Sequence, residues 1–225
     1  MGYKHYGVKT EGVPLELISA IIKGFNTPYF IETGTAGGES IQKAAKIFKN
    51  CYTIEIIEKR TPEIISENIQ FFTGDSTKII PNILKKINVL WDYYAVFWLD
   101  AHYSDEVECK EEVECPILEE ISCIKYTKSI IIIDDARLFF GSPPFPLNPQ
   151  KWASLQDIFN SFNSNYYLKN NYITIVDDYI VSIPIEMVSN LNLYWRKNFD
   201  NRYPNEEKRL KQSVKDSIAA LINYI

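Results

Sequence analysis

Residues 129–133 read Ser-Ile-Ile-Ile-Ile. Four consecutive β-branched residues have no polar face to offer water, so this strand must be covered on both sides. Parallel sheets flanked by helices provide that cover, and hairpin sheets with one wet face do not. The run stops at Asp134-Asp135. The same pattern recurs upstream. Tyr29-Phe30-Ile31 stops at Glu32 and a glycine turn, and Cys51 to Ile57 is apolar and β-branched with Glu55 inside it. Ile69 to Thr73 ends in Gly74-Asp75-Ser76, and Tyr94 to Leu99 ends in Asp100-Ala101-His102. Between these runs, apolar residues recur at helical spacing over Leu15–Phe25, Ser40–Phe48, Lys78–Ile87 and Pro116–Lys125, with Pro62 opening a further helix towards Gln70.

Strand and helix therefore alternate, with acids just past the strand ends. This predicts an α/β fold: a doubly wound, mostly parallel sheet that binds ligands at the carboxyl ends of its strands. After a loop carrying Pro143, Pro144, Pro146 and Pro149 comes a helix from about Trp152 to Phe162. Tyr172–Val176 and Tyr179–Ile183 flank the two residues Asp177-Asp178, the spacing of a hairpin. The hairpin gives the seven-stranded sheet one antiparallel strand near the C-terminus. Residues 1–28 read as an N-terminal segment and helix, and residues 205–225 as a charged amphipathic helix. No repeat or linker interrupts the chain, so residues 1–225 are expected to form a single domain.

The net charge is -5 and the basic residues are scattered, which argues against a nucleic-acid partner. No apolar run approaches the roughly twenty residues that span a bilayer. Met1 to Glu11 lacks the apolar stretch of a signal peptide, so the expected location is cytoplasmic with reduced thiols. Cys109 and Cys115 flank an acidic stretch near His102. That makes zinc conceivable, although structural zinc usually has tighter ligand pairs. A homodimer stays open.

The glycine turn selects the ligand. It follows a strand and opens a helix, so its N–H groups can face a bound molecule. The order is acid-x-Gly-x-x-x-Gly, from Glu32 through Gly34 to Gly38. A dinucleotide fingerprint would need G-x-G-x-x-G, and Ala36 stands where its second glycine belongs. No Lys-Ser/Thr pair follows, so a P-loop is also excluded. Glu55, in the second strand, is placed to accept hydrogen bonds from both hydroxyls of a ribose. Asp75, ending the third, is placed to accept one from an adenine amino group.

Glu32-Thr33-Gly34-Thr35-Ala36-Gly37-Gly38, Glu55, Gly74-Asp75-Ser76 and Leu99-Asp100-Ala101-His102 together resemble the successive motifs of class I S-adenosylmethionine-dependent methyltransferases. The resemblance covers roughly residues 29 to 184. The stretches 99–104, 114–116 and 133–137, with the later prolines and Trp152, also resemble a bacterial branch of that superfamily. It implies a Rossmann-like methyltransferase fold, with Gly34 and Gly38 at the methionine part, Glu55 at the ribose and Asp75 at the adenine. The expected cofactor-binding set is Glu32, Thr33, Gly34, Gly38, Ser40, Glu55, Asp75 and Ser76.

Asp100 ends the fourth strand and Asp134-Asp135 the fifth, so three carboxylates should converge and repel. A hard divalent cation, Mg²⁺ or another, would resolve this. The pattern is similar to metal-dependent O-methyltransferases of the catechol and macrolide-sugar types. The catechol type has Asn as the second member of the acidic pair and a lysine shortly after the first Asp. Here the pair is Asp-Asp, and His102 and Tyr103 stand near the lysine's place. Asp100 and His102 are accordingly the candidate catalytic residues, either being a possible base, and Asp100, Asp134 and Asp135 the candidate metal ligands. The expected reaction is metal-assisted O-methylation of a hydroxylated small molecule, such as a sugar or sugar-containing metabolite. The acids Glu106 to Glu114 at the site mouth disfavour an anionic acceptor, and Phe139, Phe140 and Phe145 could wall its pocket. Two rivals are a nicotinamide-dependent oxidoreductase and a non-catalytic S-adenosylmethionine-binding scaffold.

Overall fold

A computed structural model of the chain describes residues 12–57, 66–87, 93–102, 115–143 and 148–202. Its strands are β1 (Tyr29–Thr33), β2 (Asn50–Glu55), β3 (Ile69–Thr73), β4 (Ala95–Leu99), β5 (Ser129–Ile133), β6 (Tyr172–Val176) and β7 (Tyr179–Ile183). They form one sheet in the order β3-β2-β1-β4-β5-β7-β6. The five strands from β3 to β5 are parallel, and β7 runs antiparallel to both of its neighbours. This is the doubly wound, Rossmann-like methyltransferase fold. The chain starts at β1, moves outward to β3 and returns to β4. The crevice between the ends of β1 and β4 is thus the switch point where such sheets bind ligands.

The helices are α1 (Leu15–Ile21), α2 (Glu39–Ala44), α3 (Ser76–Ile87), α4 (Ile117–Cys123), α5 (Leu155–Ser164) and α6 (Val188–Arg202). One core layer packs Ile80, Ile83, Ile121, Ile158 and Phe162 of α3, α4 and α5 against one face of the sheet. The other packs Leu17, Ile18 and Ile21 of α1, Ile41 of α2 and Leu191 of α6 against the opposite face. The isoleucine run of β5 divides between them. Ile131 and Ile133 face the first layer and Ile130 and Ile132 the second, and all are fully buried. Double cover is what an unbroken β-branched run demands.

Three helices are closed by asparagines far away in sequence. Asn68 Nδ2 donates to the carbonyls of Ala45 and Phe48 after α2. Asn165 Nδ2 donates to Ile121 and Ile124 of α4, and Asn190 Nδ2 to Ile21 and Lys23 of α1. Each satisfies carbonyls that a helix end leaves open. The expected helices over Leu15–Phe25, Ser40–Phe48 and Pro116–Lys125 end earlier, at Ile21, Ala44 and Cys123. Pro81 lies inside α3 and cannot bond the Thr77 carbonyl, which receives the Cys123 thiol instead. In α5, Ser154 and Asp157 form a capping box, moving the start from the expected Trp152 to Leu155. The start of the helix expected from Pro62, and the one expected over 205–225, lie outside the described residues. No described helix is long and apolar enough to cross a membrane.

Candidate active site

β1 ends in a turn that passes directly over the end of β4. Gly34 adopts φ +80°, and a Cβ there would stand 2.3 Å from the Asp100 carbonyl oxygen. Only glycine can make this approach. Ala36 is also left-handed, at φ 44°, and the reason is visible: its N–H donates to Glu55 Oε2 at 3.0 Å. Glu55 Oε1 accepts from the Ile57 N–H at 3.1 Å. Glu55, expected at a ribose, is thus also the anchor of the turn, and its oxygens retain lone pairs for a ligand. If the crevice takes the cofactor that the resemblance implies, replacing Glu55 with alanine is expected to weaken S-adenosylhomocysteine binding by on the order of 2–4 kcal/mol, since charge-assisted hydrogen bonds and the shape of the turn are lost together. Calorimetry would check this, and unchanged affinity would remove Glu55 from the site.

Two buried acids flank the end of β1. On the α1–α2 face, Glu32 is fully buried and accepts a 2.6 Å hydrogen bond from Thr53, whose hydroxyl also meets that of Thr35 in the turn. Burial raises its carboxyl to about 8, and the Thr53 bond only partly opposes this. On the other face, Glu120 of α4 is equally buried and accepts from Ser76 at 2.5 Å. Thr33 also bonds it, and burial raises it to about 7. Glu120 was not among the sequence candidates. It sits beside Glu119 on a short helix, and adjacent acids there read as solvated. Its partner Ser76 lies 44 residues away.

The acids past β4 and β5 meet around a histidine. His102 Nε2 lies 3.2 Å from Asp135 Oδ2, and Nδ1 lies 3.7 Å from Asp100 Oδ1. The imidazole packs edge-on against Phe139 and Trp152, which stack on each other, and its side chain is 9% exposed. Burial alone would lower its pKa, but Asp135 and Asp100 outweigh that and raise it. Asp135 also pairs with Arg137 Nη1 at 2.6 Å, and the same nitrogen bonds Asp178 in the β6–β7 turn. Burial opposes ionisation of Asp135, yet bonds from His102 and Arg137 hold it at about 2. Among the described residues Asp134, which accepts only from the Asp135 N–H, and Asp100 have no arginine partner and are helped less. Burial and mutual repulsion among the three acids raise Asp134 to about 8, and burial raises Asp100 to about 6 against the pull of His102.

The three acids expected to hold a metal come near one another without forming a ready ligand set. Among the described residues no group of three His, Cys, Asp or Glu side chains is arranged to hold an ion. Arg137 already neutralises Asp135, and His102 hydrogen-bonds it. Arg137 could have been flagged from sequence as the basic residue two positions past the acid pair, whereas Asp178 read only as a turn residue. The donor set of Asp100 and Asp134, two crowded oxygen-bearing acids, does fit a hard cation.

Other expected cofactor residues are occupied within the protein. Asp75 caps α3, accepting from the Thr77 N–H and hydroxyl and pairing with Lys78 at 2.9 Å. These bonds outweigh burial and lower its pKa. Ser76 is committed to Glu120. Ser40 Oγ lies 3.4 Å from the Val13 N–H, so α2 touches the N-terminal segment there. Thr33 Oγ1 accepts from the Asp100 N–H at 3.3 Å, and Gly38 caps α2 at φ 81°. Phe139 is buried against His102, Phe140 is exposed, and Phe145 lies outside the described residues. So do Tyr103, Cys109 and the acids from Asp105 to Glu114. Cys115 is buried with a free thiol.

No family model and no curated protein matches the chain. Among solved structures it resembles the MycE methyltransferase from the mycinamycin biosynthetic pathway, solved with Mg, SAH and mycinamycin VI, at 11% identity and a TM-score of 0.47. That match covers 81% of this chain, which spans about half (50%) of the other. A precorrin 8W decarboxylase from Methanobacterium thermoautotrophicum shares 12% identity at a TM-score of 0.41, covering 79% of this chain and 91% of that one. A SAM-dependent methyltransferase from Anabaena variabilis shares 9% at 0.42, covering 76% and 84%. Likeness this distant says nothing about activity.

Proposed function

We propose that the chain is an S-adenosylmethionine-dependent methyltransferase that methylates a hydroxyl of a polar small molecule, with a sugar or sugar-containing metabolite as the acceptor. The observation that carries this reading is the crossing at the switch point. Gly34 lies against the Asp100 backbone, and Glu55 holds the same turn, so cofactor cradle and acidic cluster share one crevice. A thermal-shift comparison tests the cofactor: stabilisation by S-adenosylhomocysteine and none by NAD is expected, and the reverse would favour the oxidoreductase.

His102 is the proposed base. With Nε2–H donated to Asp135, its Nδ1 keeps the lone pair and can take the proton of an acceptor hydroxyl while the methyl group moves from sulfur to oxygen. Arg137 and Asp178 position Asp135 for this. Asp100 and Asp134 would hold Mg²⁺ or another divalent cation, whose chemistry there is to lower the hydroxyl pKa and orient the acceptor. Asp135 would join them only by giving up a cationic partner. A panel of vicinal diols, catechols and amines, assayed for S-adenosylhomocysteine release with and without Mg²⁺, tests the acceptor. Asp134→Asn is expected to cut Mg²⁺-dependent turnover at least tenfold, on the scale of one lost charged ligand. Methylation of an amine alone, unaffected by chelator, would overturn both the oxygen and the metal assignments.

A further inference from the structure

The sheet ends at β6, whose strand partner is β7. A two-residue turn joins these strands, so Val176 and Tyr179, which flank it, exchange both backbone hydrogen bonds. From there the ladder alternates. Tyr172, Thr174 and Val176 bond inward to β7, and the N–H and C=O groups of Ile173 and Ile175 point out of the sheet. Among the described residues nothing bonds those four groups. Sheet edges of single chains are commonly guarded by lysine, proline or a bulge. β6 reads Tyr-Ile-Thr-Ile-Val and has no charge, no proline and no glycine. Its first residue, Tyr172, leaves a large ring 39% exposed.

We infer that β6 pairs with β6 of a second copy of this chain, antiparallel about a twofold axis through Thr174. This register sets each Ile173 opposite the partner's Ile175, so the outward groups of both copies satisfy one another. Centring on Ile173 would instead set Ile175 against Asn171, whose N–H is already given to the Leu168 carbonyl. Centring on Ile175 would set Ile173 against Asp177 in the left-handed turn. On one face of the joined strands Thr174 meets its own copy, and Tyr172 meets the partner's Val176. Threonine pairs and aromatic–β-branched pairs both favour strand association. The ends match in charge as well. Lys169 precedes the strand and Asp177 follows it, so antiparallel pairing brings basic end to acidic end. At the opposite edge β3 lies between Glu67 and Asp75, and the same pairing there would oppose acid to acid. β6 runs parallel to the strands from β1 to β5, so the partner's sheet continues in the reverse direction. Two seven-stranded sheets become one, with a crevice at each end. The pairing holds whatever the crevice binds.

Sedimentation velocity on the whole chain, over roughly 1–200 µM, covers the weak end of specific association. The mass is expected to rise with concentration from 26.1 kDa towards twice that value. Thr174 faces itself across the axis, so Thr174→Lys and Thr174→Glu each oppose like charges and should raise the dissociation constant about tenfold. Mixed in equal amounts, the two variants should dimerise again. Ile173→Pro removes an outward N–H and leaves the β7 ladder whole, and it should weaken the dimer too. Melting curves confirm that the variants fold. A wild type that stays at 26.1 kDa throughout would overturn the inference. So would a dimer that persists in all three variants, or a mixture of folded Lys and Glu variants that stays monomeric.

Discussion

Gly34→Ala is expected to destabilise the fold by about 2–6 kcal/mol and to abolish S-adenosylhomocysteine binding. Two effects add. A left-handed backbone costs a non-glycine residue about 1–3 kcal/mol, and φ here is +80°. The new methyl would also stand 2.3 Å from the Asp100 carbonyl oxygen and 3.1 Å from the Ala101 Cα. These are backbone atoms of a neighbouring strand end, so relief means moving β1 away from β4, an overpacking cost of about 1–3 kcal/mol. That movement separates the turn from Asp100 and dismantles the crevice. Chemical denaturation and ligand titration would measure the two losses, and an alanine variant with wild-type stability would show that the turn can form elsewhere.

Glu32→Gln is expected to make the protein more stable in alkali and less so in acid. Burial raises the folded-state pKa of Glu32 from 4.5 to about 8. Below pH 4.5 the acid is protonated in both folded and unfolded chains and costs nothing. As pH rises the unfolded chain gives up its proton first, so stability falls steadily until the folded form also ionises near pH 8. The full loss is on the order of 4–5 kcal/mol. Glutamine has no proton to lose and keeps the acceptor for Thr53. Its amide N–H₂ must then sit where Oε1 finds no partner, at a cost of about 1–3 kcal/mol. The variant should thus be the more stable by about 2–3 kcal/mol above pH 8 and the less stable below pH 4.5. Parallel pH dependences of melting temperature would show that Glu32 is ionised throughout.

Much of this was legible in the sequence because the strands are short β-branched and aromatic runs with turn residues at their ends. β3, β5, β6 and β7 have the residue limits read from composition alone, since apolar runs bounded by Gly, Asp and Ser leave little choice. Helix ends were less legible because the groups that satisfy the carbonyls at the ends of α1, α2 and α4 lie far away in sequence. α6 was missed altogether. Its sequence alternates asparagine with scattered aromatics and carries no clear apolar stripe. At the site, the sequence indicated which acids end the strands, but not which of them would find a cation. Asp135 and Asp134 are neighbours in the chain and opposites in chemistry. Only the fold brings His102 and Arg137 to Asp135 and leaves Asp134 to repel Asp100.

The asparagine that closes α1 bears on how the chain is made. Asn190 reaches the carbonyls of Ile21 and Lys23 across 169 and 167 residues. A ribosome releases the first helix long before it releases that cap, so Asn190 can replace water on these carbonyls only after α6 emerges and docks. Loops of this length close slowly. Completion of the fold is thereby tied to the late arrival of α6, and a chain truncated before residue 190 would carry a first helix with no one to finish it.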